Sequence, residues 1–126
     1  MPVDVVFSGP VTDHAASDDC GGMILGGEPD KYWHDHKGAM INAIRTRNGI
    51  EDADVVVVRF GEKYKQWNAA FDAGYASALG KSLIILQQPE HDHPLKEVDA
   101  AAMAVARDPV QVVQILRYVL EGTLPG

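Results

Sequence analysis

With 126 residues the chain has room for one domain (residues 1–126) with a real core. Its 46% hydrophobic and 23% charged residues are ordinary for a soluble globular protein, and no apolar run approaches a membrane span or opens as a signal peptide. Eleven basic against eighteen acidic residues leave a net charge of −7, which excludes the electrostatic footprint for polymeric nucleic acid or an anionic membrane, and the single cysteine excludes an internal disulfide and fits the cytoplasm.

The chain opens with a short predicted strand, Val3–Phe7, stopped by Ser8-Gly9-Pro10. From Val11 to Asp30 there is no sustained periodicity, and the density of Asp and Gly predicts a long loop, either functional or a solvated surface excursion. A helix is expected from Lys31 to Arg47, burying Ala39, Met40, Ala43 and Ile44 and ending at Asn48-Gly49. Then comes the least ambiguous part. Val55–Phe60 is a β-branched run suited to a buried parallel strand. Trp67–Leu79 carries a helical stripe of Trp67, Ala70, Phe71, Gly74, Tyr75 and Ala78, stopped by Gly80, and Leu83–Leu86 is a second apolar run. Strand, helix and strand make one right-handed βαβ unit. After it a polar loop, Gln87–His93, leads to a short helix at Leu95–Ala102, an edge strand at Ala104–Ala106, and an amphipathic helix opened by Asp108-Pro109 and closed by Gly122. This alternation predicts an α/β fold, a three-layer parallel sheet with helices on both faces.

Asn68 and Asp72 are four apart on one helix face, near the helix start and hence near the carboxyl edge of the sheet, where such folds bind ligands. The loops after Phe7 and Phe60 converge on that edge. They bring Ser8, Gly9, Asp13, His14, Gly61, Lys63 and Lys65 as candidate substrate-binding residues, with the lysines and the helix N–H groups suited to a phosphate or simply solvated. Trp67 either stacks on a base or belongs to the core. The strings His34-Asp35-His36 and His91-Asp92-His93 carry metal-ligand chemistry, but no third ligand is fixed by spacing, and we assign neither a metal nor another cofactor.

Two segments, FSGPVTDHAASDDCG (Phe7–Gly21) and FGEKYKQWN (Phe60–Asn68), closely resemble the YtoQ family of the nucleoside 2-deoxyribosyltransferase-like superfamily. The superfamily pattern of an acidic residue followed by x-G-Y-A is matched by Asp72-Ala73-Gly74-Tyr75-Ala76, with Asp in place of the usual Glu. The resemblance implies a flavodoxin-like architecture, here starting after the family's usual first strand–helix unit. It implies cleavage or transfer at the N-glycosidic bond of a deoxynucleoside or deoxynucleotide, with Asp72 as nucleophile and Asn68 beside it. It also implies pockets completed in a homodimer or larger assembly. The alternative reading is a non-catalytic small-ligand or nucleotide-binding module on the same scaffold.

Overall fold

A computed structural model describes residues 5–9, 14–27, 29–61 and 67–126. The chain divides into two compact units, one helical (Phe7–Asp52) and one built on the sheet (Ala53–Gly126 together with residues 5 and 6).

The sheet unit has three parallel strands, β1 (Val55–Arg59), β2 (Ser82–Leu86) and β3 (Ala104–Ala106), in spatial order β1-β2-β3. Val57 pairs with Ile84 and Ile85 with Val105, so β2 is the centre. Helix α3 (Trp67–Ala78) crosses from β1 to β2 and α4 (Lys96–Ala100) from β2 to β3. Two right-handed crossovers stepping the same way leave both helices on one face, and α3 packs on α4 as well as on β1 and β2. Helix α5 (Pro109–Glu121) covers the other face, where Val112, Ile115 and Leu116 pack on Ile84, Leu86 and Ala106. The alternate residues of β2, Leu83 and Ile85, are both 0% exposed and point to the α3 side. The architecture is a three-layer α/β sheet consistent with a flavodoxin-like fold.

Local signals explain α5 well. Asp108 caps it by accepting a hydrogen bond from the Gln111 N–H at 3.0 Å, Pro109 occupies its first turn, and Gly122 ends it in the left-handed conformation at φ 72°.

In the helical unit the structure departs from expectation. The stretch expected to be a loop contains α1 (His14–Leu25), and α2 runs from Lys31 to Asp52, past Asn48-Gly49. Gly21 explains the first departure. A Cβ there would collide with Lys37 and the Gly38 backbone, so the glycine permits close helix contact. The seam is polar. Asn42 Nδ2 donates to the Gly38 carbonyl at 2.9 Å, and Cys20 Sγ lies 3.8 Å from that oxygen. The buried side of α2 is therefore Gly38 with Asn42. The expected stripe is largely outside: Met40 and Ile44 are exposed. The extension past Gly49 accompanies burial of Ile50. Burying such a side chain gains about 1.5–3 kcal/mol, enough to offset the roughly 1 kcal/mol helix penalty of one glycine.

Residues 5–7, expected to finish the strand Val3–Phe7, have no regular structure, nor do Ser8 and Gly9 after them, and Val6 and Phe7 are exposed. Among the described residues the sheet therefore has three strands rather than four. No helix of the described residues is long and apolar enough to cross a membrane.

Candidate active site

The carboxyl ends of β1 and β2 carry the polar chemistry of the sheet unit. Phe60, just past β1, is buried and donates its N–H to Leu86 O at 2.9 Å, which holds the two strands together as far as their ends. Gly61 follows, half-buried, and α3 begins at Trp67.

Along α3 burial falls on alanine. Ala73 and Ala76 are the buried residues, whereas Trp67 and Phe71 are exposed. Of the expected stripe, Trp67, Phe71, Gly74 and Ala78 are exposed and Ala70 and Tyr75 half-buried, because the small face lets the helix lie close to the strands, which a Trp or Phe would prevent. Trp67 is thus not a core residue. Asp72 lies about five residues, or roughly 8 Å, along the helix axis from its start. It sits on the flank between the buried and exposed faces, half-buried, with no hydrogen bond or ion pair to another described residue. Partial burial raises its pKa above the ordinary carboxylate value, outweighing any help to the anion from the helix N-terminus. Asn68 is one turn earlier and exposed. With no partner among the described residues and partial withdrawal from water, Asp72 is a candidate functional carboxylate.

Beyond β2 the structure joins Asp92 of the second His-Asp-His string to residues that sequence reading did not single out. Gln87 is 1% exposed. Its Nε2 donates to Asp92 Oδ1 at 3.0 Å and to Asp99 Oδ2 at 2.8 Å. Arg107 grips Asp92 in a bidentate pair at 2.6 and 2.9 Å, and Gln88 donates to the Arg107 carbonyl at 3.1 Å. The Arg107 pair, then the Gln87 amide, hold the Asp92 carboxyl below its ordinary pKa. This knot ties β2 to the 3-10 turn at Pro89–His91, to α4 and to the start of α5. It fixes the loop at the sheet edge. Asp92 of the second His-Asp-His string is thereby committed to Arg107. Among the described residues no three His, Cys, Asp or Glu side chains gather as a metal-ligand set.

Gly61, Trp67, Asn68 and Asp72 belong to the sheet unit; Ser8, Gly9 and His14 belong to the helical unit. Ser8 and Gly9 are exposed in an irregular stretch, and His14 is the first residue of α1. Asp13, Lys63 and Lys65 lie outside the described residues. An open, mostly apolar crevice of about 400 Å³ lies elsewhere, lined by Val105, Ala106, Gln111, Ile115, Tyr118 and Pro125, and none of the candidate residues lines it.

The family described as nucleoside 2-deoxyribosyltransferase YtoQ matches residues 1–120. The chain belongs to the YtoQ family. A curated YtoQ relative from Bacillus subtilis (strain 168), described as an uncharacterized protein, is 40% identical over 121 residues, spanning 96% of this chain and 82% of its own length. In this YtoQ chain α3 carries one carboxylate, Asp72.

Proposed function

We propose that this protein cleaves or transfers at the N-glycosidic bond of a deoxynucleoside or deoxynucleotide in the cytoplasm, with Asp72 as nucleophile, working as a homodimer or larger assembly. As the base leaves, the anomeric carbon of the sugar becomes oxocarbenium-like. A carboxylate beneath it stabilises the charge and captures the carbon as an ester: the C–N bond breaks with its electron pair leaving on the base, and a C–O bond forms to Asp72. Attack by water or a second base on that carbon then releases the carboxylate. Asn68, one helical turn away, would hold Asp72 or a sugar hydroxyl. Trp67, exposed at the helix start, would offer a stacking face to the base. Ser8, Gly9, Asp13, His14, Gly61, Lys63 and Lys65 would complete the substrate contacts.

The observation that carries this reading is Asp72 itself: half-buried and unpaired among the described residues, on the helix that matches the superfamily's acidic pattern. The test is incubation with a panel of deoxynucleosides and deoxynucleotides, following free base by chromatography and the sugar ester by intact mass. A base released together with a deoxyribosyl adduct on the peptide containing Asp72 supports the reading. Tight binding of a nucleotide with no release at all favours the binding module instead.

A further inference from the structure

Three polar atoms around the Gln87 knot are shut off from solvent yet have no hydrogen-bond partner among the described residues. They are Gln87 Oε1, Asp99 Oδ1 and His91 Nδ1. Buried polar groups are almost always satisfied, so each of these calls for a ligand. What their neighbours already do limits what each can accept or give. Both N–H groups of the Gln87 amide are spent, one on Asp92 at 3.0 Å and one on Asp99 at 2.8 Å. Its nitrogen therefore faces two carboxylates, and its oxygen is left as an acceptor. Turning the amide over would set that oxygen against both carboxylates. Asp99 uses Oδ2 on the same amide, which leaves Oδ1 as a second acceptor. Arg107 grips both oxygens of Asp92, and no guanidinium donor reaches Asp99 Oδ1. Only His91 Nδ1 has a choice, because a neutral imidazole carries its proton on either ring nitrogen. His91 adjoins Asp92 at the end of the 3-10 turn that the Gln87 amide holds.

We infer that Gln87 Oε1, Asp99 Oδ1 and His91 Nδ1 converge on one buried water molecule. The water donates a hydrogen to each of the two oxygens and accepts a third hydrogen bond from a proton on His91 Nδ1. Two fixed acceptors and one atom free to donate are the complement of a single water. Buried waters typically make about three hydrogen bonds to groups otherwise unsatisfied. A metal cation fits the same atoms less well. Two oxygens and one nitrogen, with a single carboxylate among them, fall short of a zinc or calcium ligand set. An ammonium group only donates and would need a lone pair on Nδ1. The water therefore fixes the tautomer of His91, with Nδ1 protonated and Nε2 left to accept. It also joins three elements at once: the end of β2 through Gln87, the 3-10 turn through His91 and α4 through Asp99. The segment after β2 is then closed from inside by the water as well as from outside by the Asp92–Arg107 pair. This inference is independent of the function proposed above, since it involves neither Asp72 nor a substrate.

The test begins with the wild-type full chain, isotope-labelled and without any ligand. Long-range proton–nitrogen correlation at about pH 8, where imidazole rings are ordinarily neutral, reads the tautomer of His91 directly. The expected pattern is a proton on Nδ1 and a bare Nε2. The opposite tautomer overturns the inference, whatever the variants do. Water-deuteron relaxation dispersion then compares the wild type with His91→Phe and His91→Asn, each verified as folded by circular dichroism. The wild type should show one long-lived water that His91→Phe loses. His91→Asn, whose amide nitrogen stands close to where Nδ1 was, should keep it. A signal that is equal in the wild type and His91→Phe overturns the inference. The last arm compares melting temperatures in sodium, potassium and choline chloride at equal ionic strength. Equal values are expected, and a rise specific to sodium or potassium would put a cation where the water is placed and overturn the inference.

Discussion

Helices α3 and α5 flank the same small sheet, yet they spend their apolar residues in opposite ways. Helix α5 turns Val112, Ile115 and Leu116 onto Ile84, Leu86 and Ala106, and its large side chains supply cohesion. Helix α3 turns alanines inward and holds Trp67 and Phe71 in solvent. A helix that lies on the sheet through alanine gains little from each contact but comes close. Size of side chain is thus a poor guide to which face of a helix is buried when the neighbouring strand is packed closely.

The largest effect that would break this contrast is chemical. Asp72→Asn keeps the size of the side chain but removes the charge, and glycosidic activity should fall by several orders of magnitude with the melting temperature little changed. Activity retained within tenfold would remove α3 from the chemistry. Next comes overpacking. Ala76, 0% exposed, has no room for more, so Ala76→Leu should cost about 1–3 kcal/mol in urea unfolding. A neutral result would show that α3 does not lie close. On α5, loss of the cap in Asp108→Ala should cost about 1 kcal/mol by the same measurement. Phe71→Ala, measured on dilute protein, should change stability by less than about 0.5 kcal/mol, as for a surface site. A cost like that of a core phenylalanine would return the aromatic stripe to the interior.

The smallest effect is the pH dependence of Asp72. Burial raises its folded pKa, so between the unfolded and folded values the native state binds more proton, and stability falls as pH rises through that window. Against Asp72→Asn the wild type should therefore be slightly less stable at pH 7. The gap should close as pH drops below about 4, near the unfolded value. Asp92 has the opposite sign. Its folded pKa is lowered by Arg107, so its contribution is present at neutral pH and fades as pH falls below about 4.

Much of the sheet unit was legible because its boundaries are punctuated. Gly80 after α3, Asp108-Pro109 before α5 and Gly122 after it are backbone signals that act locally. The β-branched run of β1 and the apolar run of β2 needed no distant partner to be recognised. The helical unit was less legible, since α1 exists through its packing. Gly21 and Gly22 look like loop residues until Gly21 is seen against Gly38. At the candidate site the sequence could locate Asp72 on its helix but not its half-burial, which depends on which face α3 turns inward. The Gln87 knot was hidden for a simpler reason. Its partners, Asp92 and Asp99, are five and twelve residues away, and Arg107 joins through Asp92 from fifteen residues further on. No local pattern relates them.

The central position of β2 has a consequence on the timescale of amide exchange. Its residues pair with β1 on one side and β3 on the other, and its side chains are buried on both faces. Opening β2 means parting both neighbours, so the protected amides of residues 83–86 should exchange with deuterium only when the whole sheet unit opens. In β1, every second N–H points away from β2, and among the described residues nothing on that side receives it. Labelling should therefore enter β1 at alternate amides long before it reaches β2, a two-residue rhythm within one strand that peptide-resolved exchange would record as partial uptake.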